Sequence, residues 1–383
     1  MGPGPAAGSV RARYLVYFQY LGADFNGVAA VRGAQRAVGV LNYLEEAAEQ
    51  LNSVVPVKFT ISSRTDTGVH ALCNTAHLDI QRRSGRPPFP PEVLAQALNT
   101  HLKHPAISLT CGHRVLQAFR VPSDFHARYA ATSRTYLYRL ATGCPQPKQL
   151  PVFERSLCWA LRSDYLDVDA MREAAQYLLG THDFSAFQSA GSPATSSVRT
   201  LHRVSVSLGP ASPYVLPQES RWQLLIPRNC PVHDQPKGKR NFCMTSSDSA
   251  GRAPSSGLGL CRRAGCAPPA PRLRASLRRL RFWNLEFESQ SFLYKQVRRM
   301  TAVLVAVGLG VLLPAQVKMI LESRDPLGKH QAHVAPAHGL FLKSVLYGSL
   351  GDPGPSSCIL PGLQCENYRE SGLSAEVTPV TAL

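Results

Sequence analysis

The spacing of apolar residues changes repeatedly along this chain. Tyr14-Leu15-Val16-Tyr17-Phe18-Gln19-Tyr20 has strand composition but too few polar positions for clean alternation, which predicts a strand covered on both faces. Over residues 35–51 the period becomes helical. Val38, Leu41, Leu44, Ala48 and Leu51 share one face, and Glu45, Glu46 and Glu49 fill the other. Residues 58–63 predict a second strand, and 91–102 a second helix with Pro91 in its first turn. An aromatic-rich strand is expected over 133–140, then a helix over 169–179 stopped by Gly180. Val204 to Leu208 and Phe282 to Phe287 both alternate. Helices over 293–307 and 315–323 and a last strand over 341–346 complete the pattern. Strands and helices interleave throughout, which indicates a mixed α/β or α+β protein.

Residues 213–281 break this regularity. They are rich in Pro, Gly, Ser and Arg and have no sustained apolar period, a composition that predicts disorder. They also separate two alternating strands that would otherwise make an antiparallel hairpin, so the segment reads as an insertion. Closure entropy grows only by about 0.6 kcal/mol per doubling of loop length, so a hairpin tip tolerates such length. The competing reading is an arginine-rich RNA-binding arm. The tail, 351–383, has similar composition and is also expected to be disordered.

Charge has to be read with that segment in mind. The whole chain carries +17, which points to a polyanionic partner. Residues 213–281 hold 13 Lys/Arg and 3 Asp/Glu, or +10, leaving 17 − 10 = +7 for the rest. The ten cysteines form no Cys-x-x-Cys pair. Cys230, Cys243, Cys261 and Cys266, with His233 nearby, have spacings unsuited to a structural zinc site, so no metal is expected. No secretory signal is visible. The longest apolar run, Met300 to Leu313, is too short and too Gly-interrupted to span a bilayer and predicts a buried helix. A soluble intracellular protein with reduced thiols is expected. Two arginines and no acid before Tyr14 lean toward mitochondrial import.

The chemistry concentrates in Ser63-Arg64-Thr65-Asp66-Thr67-Gly68-Val69-His70-Ala71. A carboxylate and a guanidinium sit between an expected strand and a glycine turn, where catalytic groups are often displayed. On local chemistry alone, Asp66 reads first as a turn residue paired with Arg64.

The run Arg-Thr-Asp-x-Gly-Val-His-Ala resembles the active-site motif of the TruA family of tRNA pseudouridine synthases. Further segments resemble that family in the same chain order. They are Phe125 to Tyr138, Gly180 to Phe187, Phe292 to Met300, and Ala335 to Leu340 with the strand after it. The resemblance runs from about Tyr14 to Tyr347. It implies an α+β fold: a mixed, mostly antiparallel sheet flanked by helices, with two ferredoxin-like halves around a central cleft. The halves would be 13–142 and 143–212 with 282–350, with 1–12 a flexible N-terminus. It implies isomerisation of uridine to pseudouridine in RNA, with tRNA or another structured RNA as partner and a homodimer as one possible assembly. No atoms are gained in that reaction, so no cofactor is needed.

The resemblance also implies roles. Asp66 corresponds to the catalytic aspartate, Arg298 to its salt-bridge partner, and Tyr136 to the tyrosine that stacks on uracil. Arg64 matches the arginine that helps extrude the nucleotide, and His70 joins Arg64 and Tyr136 as a substrate contact. Read from the residues alone, Tyr136 and Tyr138 are a core aromatic pair and Arg298-Arg299 a solvated pair. The chain departs from the family at Gly27-Val28-Ala29-Ala30-Val31, where Gly-Trp-Gln is usual. Thr67 replaces Ala or Lys, Arg299 stands where Asn is common, and Thr110-Cys111-Gly112-His113 suggests a small extra loop. Two alternatives stay open. One is an inactive RNA-binding or RNA-folding protein on the same fold. The other, phosphoryl transfer through Asp66, would want a second carboxylate or a metal cluster, and Asp-x-Asp is absent.

Overall fold

The computed structural model describes residues 10–30, 38–83, 86–111, 114–115, 118–144, 146, 148, 150–189, 195–209, 280–325 and 334–348. The expected insertion, the tail, the N-terminus before residue 10 and the four cysteines from Cys230 to Cys266 lie outside them, except that Leu280 and Arg281 are described.

The strands are β1 (Arg11–Tyr20), β2 (Phe59–Ile61), β3 (His70–Gln81), β4 (Ile107–Ser108), β5 (Thr110–Cys111), β6 (Arg114–Val115) and β7 (Ala118–Val121). They continue with β8 (Ser133–Thr142), β9 (Trp159–Ala160), β10 (Gly180–Asp183), β11 (Val198–Gly209), β12 (Arg281–Ser289) and β13 (Leu340–Leu346). The helices are α1 (Val40–Glu49), α2 (Pro91–His101), α3 (Val168–Gln176), α4 (Gln296–Gly308) and α5 (Pro314–Ser323). One sheet runs β10-β11-β12-β8-β13-β3-β1-β4, with β2 on β3, β7 on β1 and β9 on β8. The fold is therefore α+β with a mixed, mostly antiparallel open sheet. Parallel pairing occurs between β13 and β3 and between β8 and β9. Helices α1 and α2 pack together, and α3 packs on α4, α5 and β11.

β8 lies between β12 and β13, and all ten of its residues are buried. That fits the lack of polar alternation over Tyr136-Leu137-Tyr138. It also carries two buried arginines. Arg139 pairs with Glu154 at 2.7 Å, both nearly sealed from water, and Arg134 belongs to the site below. β11 and β12 pair antiparallel from Leu201↔Ser289 to Gly209↔Phe282, so the expected hairpin strands are adjacent. Arg281 is part of β12, so the regular ladder begins one residue before the expected boundary. Thr110-Cys111 pairs with Arg114-Val115 as a short separate ribbon.

Strand β3 is the longest element the sequence pattern misses. Its sequence, HALCNTAHLDIQ, buries His70, Asn74, Thr75 and His77 among apolar residues, which destroys the alternation. These polar groups are satisfied internally. The Thr75 and Tyr347 hydroxyls bond at 2.6 Å, and His77 Nδ1 accepts from Ala127 N–H at 3.1 Å. No helix among the described residues is long and apolar enough to cross a membrane.

Candidate active site

Asp66 lies in the loop between β2 and β3, which pair antiparallel. Four independent contacts fix the backbone before it. Ser62 N–H donates to Thr75 O at 2.8 Å, and Asn74 Nδ2 donates to Ser63 O at 3.0 Å. Val28 N–H donates to Thr65 O at 3.3 Å, and the Thr65 hydroxyl bonds the buried Tyr20 hydroxyl at 2.7 Å. Beyond Asp66 the chain turns sharply, with Val69 N–H donating to Asp66 O at 3.1 Å. Gly68, third in that turn, has φ 76°, a conformation that disfavours any side chain. Thr67 does not crowd the turn. It is exposed, and its hydroxyl donates to Asn26 Oδ1 at 2.8 Å.

The departure at Gly27-Val28 has a structural role here. Val28 is fully buried and its N–H supports Thr65. Gly27, at φ 81°, lies so close that a Cβ there would sit 2.7 Å from Thr65 O.

Arg298 reaches Asp66 from the first turn of α4. Its Nη1 donates to Asp66 Oδ2 at 3.3 Å, and its Nε donates to Ala335 O at 2.7 Å. Ala335 N–H returns a bond to Arg298 O at 3.2 Å. The Ala-Pro segment before β13, which carries no reactive group, is thus the seat of this guanidinium. Val297, Met300, Thr301 and Leu304 form the buried face of α4 as expected, with Arg298 on its flank. Asp66 pairs with Arg298 rather than with its neighbour Arg64, which is exposed. Nor are the two arginines of α4 a solvated pair. Arg299 is half-buried, and its Nε donates to Ser189 Oγ at 3.0 Å.

Tyr136 completes the group. Its ring lies edge-on to Phe292, centroids 5.1 Å apart, and Ser63 hydrogen-bonds its hydroxyl. Burial pushes its pKa up to about 12, so it stands beside the carboxylate as a neutral phenol. Tyr138 is a core residue: it is fully buried, and its hydroxyl donates to Pro336 O at 2.8 Å.

His70, expected as a substrate contact, lies beside the loop that carries Asp66. It is buried, with Nδ1 accepting from Gly22 N–H at 2.9 Å and Nε2 bonded to Ser156 O at 3.0 Å. Its ring stacks on Phe341 at 4.7 Å, and burial lowers its pKa to about 4. Both nitrogens are committed to the fold, so His70 joins the loop after Asp66 to β13 and to the 150s loop.

Arg134 is the residue that sequence reasoning passed over. Its buried guanidinium makes five hydrogen bonds, all to neutral oxygens: Ser62 O and Oγ, Ser63 Oγ, Arg128 O and Gln290 O. It ties the strand leading to Asp66 to the β12–α4 connection and to the turn before β8. Lying two positions before the buried Tyr136 on one strand is the signal that pointed to it. Among the described residues no group of three or more His, Cys, Asp or Glu could hold a metal ion.

A carboxylate held by one arginine, beside a buried neutral tyrosine and an exposed arginine, fits chemistry on a polyanionic substrate. The family model for tRNA pseudouridine synthase matches residues 174–348. The chain is 66% identical to human tRNA pseudouridine synthase-like 1 over 95% of this chain and 98% of that protein. It is 43% identical to the Xenopus laevis protein of the same name, over 88% and 92%. It is 30% identical to tRNA pseudouridine synthase A of Caulobacter sp. strain K31, over 88% and 99%. The chain therefore belongs to the tRNA pseudouridine synthase family, of the TruA type.

Proposed function

We propose that this chain isomerises uridine to pseudouridine in tRNA, with Asp66 as the catalytic carboxylate. One observation supports this above the others. Arg298 and Asp66, 232 positions apart, meet at 3.3 Å beside the buried ring of Tyr136.

The reaction breaks the N1–C1′ bond, turns the uracil and joins C5 to C1′. N1 gains a proton and C5 loses one, so the nucleotide keeps its composition and needs no cofactor. A carboxylate facing the sugar stabilises the electron deficit as the base departs. Arg298 aims that carboxylate through a guanidinium itself fixed on Ala335. The Tyr136 ring offers a platform for uracil once the base has left its stack. Arg64, exposed two residues before Asp66, takes the place vacated by the extruded nucleotide. Positive charge from Arg64 and Arg298 suits an RNA backbone.

Incubating the purified chain with a tRNA transcript should place pseudouridine in the nuclease digest, seen as a nucleoside of uridine's mass with altered chromatographic retention. Unmodified transcript across a panel of tRNAs would overturn the reading. Two finer readings accompany it. A homodimer is supported by family resemblance and tested by light scattering. Mitochondrial import, the lean taken from the arginines before Tyr14, is tested by cell fractionation, although both arginines lie in β1 and pair with Asp79.

A further inference from the structure

One histidine follows Asp66 in the chain, another follows Ala335, the seat of Arg298, and both bond the same short segment. His70, four residues after Asp66, donates from Nε2 to Ser156 O at 3.0 Å, since its Nδ1 accepts from Gly22 N–H. His338, three residues after Ala335, hydrogen-bonds the Cys158 carbonyl through its ring, and its own carbonyl lies beside the His70 ring. Residues 154–158 thus hold the Asp66 turn through one histidine and the seat of Arg298 through the other. The two sides also meet directly, because a Cβ on Gly68 would lie 3.4 Å from the Ala337 Cβ.

What fixes that segment is a buried ion pair. Arg139 of β8 donates from Nη1 to Glu154 Oε2 at 2.7 Å and to Leu157 O at 3.2 Å. Leu157 N–H donates to Glu154 O at 3.0 Å, and Cys158 Sγ donates to the same carbonyl at 3.3 Å. Glu154 therefore organises the turn that presents Ser156 O and Cys158 O. A buried pair is a poor device for stability. The cost of desolvating two ions offsets much of their attraction, and apolar residues of like volume often serve as well. This pair is also bonded through one oxygen only. Among the described residues, Arg139 Nη2 and Glu154 Oε1 have no hydrogen-bond partner. We propose that Arg139, Glu154 and His338 are positioning residues for the isomerisation, setting the Asp66 carboxylate against the Arg298 guanidinium by way of Ser156 and Cys158. This rests on the reading of Asp66 as the catalytic carboxylate. None of the three touches the reacting atoms.

The test replaces the pair by apolar residues, Arg139→Met with Glu154→Leu in one chain, and separately removes the second link with His338→Ala. Thermal melts check each fold, and the double variant should melt near the wild-type temperature. Single-turnover isomerisation of a saturating tRNA transcript should still fall about 10-fold or more in both variants, because small misplacement of a reacting group is costly. Transcript affinity in filter binding should stay at the wild-type value. His338→Asn and His338→Gln each carry an amide that can donate to Cys158 O, and the better placed of the two should recover most of the rate. Hydrogen–deuterium exchange reads the positioning without activity. Peptides containing Val69 and Ala335, whose N–H groups bond Asp66 O and Arg298 O, should exchange faster in both variants, and a peptide from α2 should not. Folded variants with the wild-type rate, or with wild-type exchange at both amides, would overturn the proposal. If the double variant fails to fold, His338→Ala and its amide replacements decide. Should the wild-type chain form no pseudouridine, the activity reading fails by itself, and exchange at Val69 and Ala335 still decides the positioning.

Discussion

Arg298 meets Asp66 at 3.3 Å through a guanidinium that the Ala335 carbonyl holds in place at 2.7 Å. Three segments far apart in sequence therefore set one distance: the β2–β3 loop, the first turn of α4 and the approach to β13. Replacing Arg298 with Met should leave the fold intact, since the side chain lies on the helix flank. Isomerisation should fall about 10²-fold or more, the usual cost of one directed electrostatic group. Arg298→Lys keeps the charge but cannot make both bonds, so it should fall between the two. Tritium release from C5-labelled uridine RNA, with thermal melts as control, reads all three.

Arg134→Met should act mainly on stability. It strips three buried and two part-buried oxygens of one shared donor. At about 1–3 kcal/mol for each buried group left unsatisfied, a loss of at least ~3 kcal/mol is expected. The melting temperature should drop by roughly 6–12 °C for a protein of this size. A near-wild-type melt would contradict the bracing role.

His70 predicts an acid-sensitive fold. Burial holds its folded pKa at about 4, against 6.5 for the free side chain, so the folded state resists taking a proton that the unfolded chain accepts. Above pH 6.5 neither state binds it, and its contribution to stability is intact. As pH falls from 6.5 to 4 the unfolded state gains the proton first, and stability is lost, by roughly 3 kcal/mol at the lower end. His77, also lowered to about 4, adds in the same direction. Urea titrations at pH 7 and pH 5 should show His70→Asn destabilised at pH 7 yet less sensitive to acid than wild type. Equal sensitivity would contradict the assignment.

Gly27→Ala should damage activity more than stability. Its Cβ would meet Thr65 O at 2.7 Å, on a backbone with positive φ, so the loop carrying Asp66 must shift. Single-turnover rates should fall by an order of magnitude or more, because small misplacement of a reacting group is costly. An unchanged rate would show that the Gly27 contact does not position Asp66.

Deleting 213–279 and joining the strands with a short turn should leave isomerisation intact. The ladder between β11 and β12 already reaches Gly209↔Phe282 without that segment. A marked loss of RNA affinity in filter binding would instead favour the arginine-rich arm.

Much of the framework was legible because local pattern and burial agree. The helices at Val40, Pro91, Val168, Gln296 and Pro314 follow their apolar spacing, and β1, β8, β11, β12 and β13 follow their strand composition. β3 was hidden by polar residues whose partners are remote in sequence, such as Thr75 with Tyr347. Asp66, Tyr136 and Arg298 carried recognisable motifs, and the structure brings them together. His70 carried one too, and both its ring nitrogens are hydrogen-bonded within the fold. Arg134 and Ala335 sat inside recognisable segments, but a guanidinium bound to neutral oxygens and a backbone carbonyl holding Arg298 become meaningful only in three dimensions.

The most direct test is Asp66→Asn, which preserves the shape of the side chain and removes its charge. Tritium release from C5-labelled tRNA should become undetectable while filter binding stays close to wild type and the melting temperature changes little. Tritium release by Asp66→Asn at the wild-type rate would contradict the central claim that this carboxylate, held by Arg298, performs the isomerisation.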